Sequence, residues 1–346
     1  MEVYFVILSG GGGKRLWPIS RKKKPKQFLR FSGGKMLLES TIDRILPLLS
    51  DENRMGVVAP PYYFPFTEDL LYRNIDIFIR EPEARNTAGA MLLSCARLLN
   101  KSCVRDSDPV IVFLPSDHVV SDDEKFRESL NRAVKCSRQC NSIVLLGVKP
   151  DSPKTGYGYV RIKDNEDFQE CFSVTKFLEK PDRKMAKDLI VGGNVYWNTG
   201  IYVGRVSTIV GTAKEKAPQL WDSVEEAILG GGNYNSVPQI SFDNAIAEKA
   251  DNLMLVECDC GWNDVGNLYS FLSAEKENSE TTKVFSFKGQ GNLARAGAKT
   301  VVFCGTDDLC LVETSDVTLV VHKDSVEHVK DIVSSMEESD DERVLL

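Results

Sequence analysis

An α/β fold with a mixed, mainly parallel sheet and a small β-rich domain behind it is predicted by three features of the 346-residue sequence. Short apolar runs alternate with amphipathic helical patterns in the first part of the chain. After residue 150 the alternation gives way to more closely spaced β-type runs. Beyond residue 278 short β segments recur between Gly and Asp turn signals, without long helices. The length also exceeds what one hydrophobic core usually supports, which suits one large and one small domain.

The runs at 3–8, 56–59, 75–79, 110–114 and 143–148 read as buried strands because each is short, apolar and bounded by turn residues. Helical patterns at 37–49, 88–99 and 124–137 separate them, and strands joined through helices pair in parallel. The segments at 157–162, 173–178 and 195–203, with helices near 183–190, 220–229 and 243–249, read as a mixed extension of the same sheet. This larger domain spans 1–278. Strands at 283–287, 300–303, 309–313 and 318–321, then a helix at 325–334, make up the β-rich domain, 279–336. Residues 337–346 are acidic and polar, so a disordered tail without chemistry is expected there.

With 42% hydrophobic and 27% charged residues, the composition is that of an ordinary globular protein. A formal net charge of -7 argues against a nonspecific nucleic-acid binder, which needs a basic face. The nine cysteines form no C-x-x-C pair and several lie in apolar runs, so reduced, buried thiols and a cytoplasmic location are expected. Cys258 and Cys260 flank Asp259, but none of the three histidines is near them in sequence, and core thiols are the expectation over a metal site. The first apolar run is too short to span a bilayer and has no positively charged leader, so neither export nor membrane insertion is expected.

The chemistry concentrates in a few motifs. Gly10, Gly11, Gly12 and Gly13 follow the first strand, where backbone N–H groups can cradle a phosphate. A dinucleotide is the competing ligand, but the spacing is not G-x-G-x-x-G, and the stretch beyond is basic where that fingerprint needs an acidic ribose partner. Lys14, Arg15, Arg21, Lys22, Lys23, Lys24 and Lys26 crowd this short segment of an acidic chain; a solvated basic surface is the simpler alternative. Ser116 and Asp117 stand just past a strongly apolar strand, where open α/β sheets bind ligands. Asp117 is a candidate metal ligand; a helix cap is the alternative, although Ser121, Asp122 and Asp123 serve that purpose without it. Asp264, in the glycine-flanked turn 261–266, offers a second carboxylate, and two carboxylates plus phosphate oxygens suit Mg²⁺.

In these stretches the chain resembles the mannose-1-phosphate guanylyltransferases, within the sugar-phosphate nucleotidylyltransferases. The matching segments are LSGGGGKRLWP (8–18), PKQFL (25–29), EPEARNTA (81–88), FLEKP (177–181), WNTG (197–200) and the Asp264 turn. The resemblance covers almost the whole chain. It implies a Rossmann-like nucleotidyltransferase domain, a C-terminal β-helical domain that mediates a homodimer, Mg²⁺, and GTP with a sugar 1-phosphate, mannose 1-phosphate foremost, as substrates. Catalytic roles fall to Arg15, Lys26 and Asp117, with Asp117 and Asp264 holding the metal. Leu8, Gly10, Gly11, Gly13, Lys14, Glu81, Arg85, Asn86, Thr87 and Ser116 are implied for the nucleotide. Glu81 can accept from both N–H donors of the guanine edge, whereas uracil and thymine present one donor between two carbonyls. Gly158, Glu179, Lys180 and Asn198 are implied for the sugar phosphate; an exposed ion pair and a plain hairpin are the simpler readings of Glu179–Lys180 and of Gly158.

The chain departs from the family at Lys14, where a small hydroxyl residue is usual. A tighter grip on triphosphate or pyrophosphate is therefore expected. Asn263, Asn267 and Leu268 replace two serines and a tryptophan around the Asp264 turn, so its shape is expected to differ. The sequence ends soon after the β-rich domain, without the isomerase domain of longer members, and no phosphomannose isomerase activity is expected. Two other readings compete: another sugar 1-phosphate such as a heptose, and a silent nucleotide-sugar-binding regulator.

Overall fold

A computed structural model describes residues 2–31, 34–64, 75–100, 107–168, 171–229, 231–276 and 282–338. The strands that build the fold are, in chain order, β1 (Val3–Leu8), β2 (Arg30–Phe31), β3 (Lys35–Met36), β4 (Asn53–Ala59), β5 (Ile77–Arg80), β6 (Val110–Pro115), β7 (Ile143–Val148), β8 (Tyr159–Phe168), β9 (Cys171–Leu178), β10 (Val195–Arg205), β11 (Leu253–Glu257), β12 (Lys283–Phe287), β13 (Leu293–Arg295), β14 (Thr300–Cys304), β15 (Leu309–Glu313) and β16 (Thr318–His322). The helices are α1 (Leu37–Ile45), α2 (Asn86–Leu99), α3 (Asp123–Gln139), α4 (Arg183–Val191), α5 (Val206–Lys216), α6 (Pro218–Leu229), α7 (Phe242–Ala245), α8 (Leu268–Lys276) and α9 (Val329–Glu338).

The chain forms two compact units. The larger comprises 1–10, 42–116 and 120–262; the smaller comprises 11–41, 117–119 and 263–346. This division differs from the sequence expectation, whose boundary at residue 278 lies outside the described residues. The basic segment after the glycines belongs with the β-rich unit, because its apolar residues Leu16, Trp17, Leu29 and Leu37 share a core with Leu293, Cys310, Val312 and Val329.

In the larger unit a nine-stranded sheet runs β5-β4-β1-β6-β10-β7-β11-β9-β8. Its β5-β4-β1-β6 half is parallel, as expected from strands joined through helices. Strand β10 inserts antiparallel between β6 and β7 and also pairs with β8, which makes the sheet mixed. The parallel partner of β7 is β11, a five-residue run that the sequence reading passed over, as it did helix α5. Short apolar runs give little periodicity to read. The expected helix at 243–249 is two short turns, α7 and a 3-10 turn, and Pro47 ends α1 in another 3-10 turn.

In the smaller unit β12 pairs in parallel with β14, and β13 with β15, both at an offset of 17 residues. Equal offsets in parallel pairs are the mark of a coil that repeats, as in a β-helix. The expected disordered tail begins as helix: α9 extends to Glu338, with Val329 and Val333 buried, and only 339–346 lie outside the described residues.

Close packing at the centre of the larger sheet leaves no room at Gly147. A Cβ there would sit 2.6 Å from Leu255 Cδ1 and 2.9 Å from Tyr196 Cβ, on the two strands flanking β7. Gly147→Ala is expected to lower stability by about 1–3 kcal/mol through overpacking, read as a reduced thermal or denaturant midpoint. An unchanged midpoint would show that the three strands relax apart freely.

Candidate active site

Three crossings of the chain between units fall inside the expected motifs, at Gly10, Ser116 and Trp262. The site residues are therefore described unit by unit.

In the larger unit Leu8 ends β1, Ser9 and Ser116 are buried, and the Ser9 amide donates to Val58 O at 2.9 Å while Ser116 N donates to Leu8 O at 3.2 Å. Ser9 Oγ is buried without a hydrogen-bond partner. Such an orphan at a strand's carboxyl end marks a place where a ligand or water completes the bonding. Glu81, only 2% exposed, follows β5. Its Oε1 accepts from Arg85 N at 3.1 Å and from the Tyr234 hydroxyl at 3.2 Å. Its Oε2 would lie 3.7 Å from a Cβ at Gly10. Burial raises the Glu81 carboxyl to about 7, against the opposing pull of those two hydrogen bonds and of the Arg85 charge.

The EPEARNTA segment is tied into the fold more than was expected. Arg85 pairs with Glu83 at 2.7 Å. Asn86, at φ 65°, starts α2 by accepting from Thr87 N at 2.8 Å, and the Thr87 hydroxyl accepts from Phe242 N at 2.9 Å. The polar side chains of Asn86 and Thr87 thus act first as braces.

Gly158, Glu179 and Asn198 converge. A Cβ at Gly158 would stand 2.7 Å from Glu179 Oε2 and 3.3 Å from Asn198 Cβ, so the glycine makes the approach possible. Lys180 Nζ bonds Glu179 Oε1. Burial raises the Glu179 carboxyl; its bond to Lys180 opposes this and the nearby Asp243 charge adds to it. Asn198 sits where β10 shifts register against β7, a bulge that re-aims its side chain. Its amide nitrogen donates to Asp243 Oδ1 at 2.8 Å and to the Tyr202 hydroxyl at 3.1 Å, and Oδ1 accepts from Gly200 N at 3.1 Å. Asn198, implied for the sugar phosphate, is expected to offer both a donor and an acceptor to the sugar hydroxyls. Its donors are instead spent on positioning Asp243, which also accepts from Tyr202 at 2.5 Å. Asp243 was missed because a lone acidic residue at a helix start reads as an N-terminal charge.

In the smaller unit the basic loop, the Asp117 carboxylate and the Asp264 backbone come together around Lys26. Gly13 takes φ 67°, and a Cβ there would lie 2.7 Å from Lys26 Cβ. Lys26 is 6% exposed; its ammonium pairs with Asp117 Oδ2 at 2.8 Å and donates to the backbone oxygen of Asp264. Val119 and Asn263 exchange two backbone hydrogen bonds of 2.9 Å, which sets the Asp117 and Asp264 segments side by side. Burial works against ionising Asp117, but the Lys26 ammonium, with His118 beside it, outweighs that and holds the carboxyl below its ordinary value. The helix cap that competed for Asp117 is supplied by Asp122, which accepts from Lys125 N at 3.0 Å.

Asn263 accepts from Val265 N, Asp264 Oδ1 from Gly266 N, and Asn267 from Ser270 N, so each substituted asparagine closes a local turn. Leu268 is fully buried. Four of the other six cations face carboxylates of the C-terminal elements: Lys14 and Lys22 pair with Glu337 at 2.8 and 3.2 Å, Arg15 with Glu327 at 3.1 Å and Arg21 with Asp316 at 2.8 Å. Glu337, read from sequence as part of an inert tail, therefore contacts the basic loop.

Residues 4–281 match the nucleotidyl transferase family. The chain is 32% identical to the alginate biosynthesis protein AlgA of Pseudomonas aeruginosa, over 96% of this chain and 72% of that one. It is 31% identical to the mannose-1-phosphate guanylyltransferase of Escherichia coli, over 97% of this chain and 73% of that one. Among solved structures, one named mannose-1-phosphate geranyltransferase, from Thermus thermophilus, superposes with a TM-score of 0.85 at 30% identity, covering 97% of this chain and 100% of that chain. A UDP-glucose pyrophosphorylase complexed with UDP-glucose shares the fold at a TM-score of 0.56 and 14% identity, over 80% of this chain and 98% of that chain. The match over most of the chain, together with the shared fold, shows that the chain belongs to the nucleotidyl transferase family.

Proposed function

We propose that this protein transfers GMP from GTP to α-D-mannose 1-phosphate, forming GDP-mannose and releasing pyrophosphate, with Mg²⁺ as cofactor and in the cytoplasm. The observation that carries the reading is the Lys26 cluster, in which two carboxylate-bearing segments and one buried ammonium are held together. The pair of segments already accommodates one cation, and Asp117 and Asp264 are hard oxygen donors of the kind Mg²⁺ takes. Among the described residues no group of three or more His, Cys, Asp or Glu could hold a metal ion, so the triphosphate would supply the remaining ligands. A Mg²⁺ ion held there neutralises phosphate charge.

The chain's own groups position and neutralise. Lys26, Arg15 and Lys14 meet the triphosphate, the last two after releasing Glu327 and Glu337, whose carboxylates stand in for phosphate oxygens. Lys180 holds the phosphate of the sugar while Glu179 and the braced Asp243 accept its hydroxyls. The sugar phosphate then attacks the α-phosphorus in line and pyrophosphate departs, with no covalent enzyme intermediate required. The Glu81 carboxylate accepts the two N–H donors of guanine, with Arg85, Asn86 and Thr87 shaping the pocket behind it.

Phe285, Phe287 and Val302 are 57%, 51% and 61% exposed on β12 and β14, where Phe285 pairs with Val302. An apolar strip of this kind suits self-association of two copies through the β-helical unit.

Incubating the protein with Mg²⁺, mannose 1-phosphate and each nucleoside triphosphate in turn should give pyrophosphate with GTP, and Asp117→Asn should reduce that release by at least ~100-fold. Selective release with another triphosphate or another sugar phosphate would replace the substrate assignment, and no release with any pair would leave a silent regulator.

Glu81 also links function to stability. Its carboxyl has an ordinary value of 4.5 and keeps its proton in the folded chain to about 7. Between those values the native state binds the extra proton, so stability falls as pH rises, and the loss is complete above 7. Glu81→Gln should therefore be more stable than the wild type by on the order of 2–3 kcal/mol at pH 8, with no gain at pH 4, while losing its preference for GTP over UTP. Equal denaturation midpoints at pH 8, or an unchanged preference, would refute one half or the other. For self-association, Phe285→Asp with Val302→Asp should yield monomers in analytical ultracentrifugation; a surviving dimer would move the interface elsewhere.

A further inference from the structure

We propose that Cys258 and Cys260 form a dithiol that hydrogen peroxide closes reversibly to a disulfide. The two sulfurs stand 3.2 Å apart, closer than any ordinary van der Waals contact between sulfurs, and both residues are 1% exposed. They follow β11 directly, with Asp259 between them. The backbone on either side is pinned: Cys258 N donates to Gly147 O at 2.8 Å, and Cys260 O accepts from Ser121 N at 3.1 Å and Asp122 N at 3.0 Å, at the start of α3.

A polar cavity lies beside the neighbours of this pair in sequence and structure. Lys125, Glu128, Ser129, Arg132 and Asp259 line a polar cavity of about 390 Å³. Ser129 borders that cavity and helps to lower the Cys258 thiol. The Arg132 guanidinium, fixed by bonds to Ser129 Oγ at 3.1 Å and Glu257 O at 2.8 Å, brings positive charge to the same wall. Burial of the sulfurs favours a small oxidant over a bulky disulfide.

The environment makes the two thiols unequal. The hydrogen bond it shares with Cys260 holds the Cys258 thiol below its ordinary value, burial opposes this, and Ser129 and Arg132 help; Cys260 is pushed up by the same bond and by burial. Cys258 is the attacking thiolate. Elsewhere, Cys136 is pushed up by its bond to Cys171 and by burial, and Cys95 by burial, so neither matches this arrangement.

In the first step Cys258 Sγ bonds to one peroxide oxygen, the O–O bond breaks, and the departing hydroxide takes a proton to become water. Cys258 is then a sulfenic acid. Cys260 Sγ next bonds to Cys258 Sγ, the S–O bond breaks, and hydroxide leaves with the Cys260 proton as a second water. Two thiols and one peroxide give one disulfide and two waters, with two electrons passing from sulfur to oxygen.

A bond across a single intervening residue strains a segment anchored at both ends, which makes it labile to thiols. The segment continues through Gly261, at φ 64°, to Asp264, so closing it perturbs the turn that carries the second proposed metal carboxylate. This consequence rests on the proposed GMP transfer; the dithiol itself does not.

The test treats the full chain with hydrogen peroxide at neutral pH, blocks remaining thiols by alkylation, and digests with trypsin. The peptide from Ala250 to Lys276 contains Cys258 and Cys260 and no other cysteine. It should be lighter by two hydrogens and unalkylated, and dithiothreitol should restore both alkylation sites. Cys260→Ser should leave a dimedone-trappable sulfenic acid at Cys258. A doubly alkylated peptide after treatment would overturn the proposal. In parallel, peroxide should abolish most pyrophosphate release by the wild type, reversibly, and spare Cys258→Ala. Equal loss in that variant would remove the regulatory consequence, while absence of release before treatment would count against the GMP-transfer reading and leave the peptide mass to decide the dithiol.

Discussion

The buried ammonium of Lys26 is the interaction on which the smaller unit's chemistry depends. A lysine at 6% exposure carries a large desolvation cost that only close, fixed counter-charges offset. Asp117 and the Asp264 carbonyl supply them, and the Val119–Asn263 bridge keeps both in place. Gly13 closes the arrangement from the other side, since any side chain there would strike Lys26 Cβ. The glycine loop with its basic segment and the two carboxylate turns are distant in sequence, yet one charge holds them in a common environment. The same electrostatics holds the half-buried Asp117 carboxyl below its ordinary value, toward the state a cation ligand needs.

A different economy governs the larger unit. There the polar side chains that look most like ligand contacts are engaged with one another: Asn198 with Asp243 and Tyr202, Thr87 with Phe242 N, Arg85 with Glu83. Such bracing limits the rotamers of the carboxylates that remain, Glu81, Glu179 and Asp243, and prepays part of the entropy of binding. It also costs stability. Glu81 is buried with an elevated carboxyl, and a group that is costly to ionise persists where its charge has a task. The bulge in β10 serves the same end, turning Asn198 out of the regular pleat.

Much of the architecture was legible because its signals are local. Strands β1, β6 and β7 are uninterrupted apolar runs, and α2 and α3 carry clear helical spacing, so their order alone implied parallel crossovers. Strand β11 and helix α5 escaped notice because short or small-residue segments have weak periodicity and take their structure from neighbours. The helical start of the supposed tail was missed for a related reason: Glu337 is held by Lys14 and Lys22, partners far away in sequence.

The residue types at each motif were determined by the sequence alone: glycines after the first strand, clustered cations behind them, and carboxylates in two separate turns. What only the tertiary structure decided is which partners those groups meet. The glycine loop's basic segment belongs with the β-rich unit, Glu337 and Glu327 hold its cations, Asn198 serves Asp243, and Cys258 lies against Cys260. Chemical identity is carried by each side chain wherever the chain folds, whereas partnership depends on long-range packing and on the balance of desolvation against charge, and neither quantity is written in any local stretch of residues.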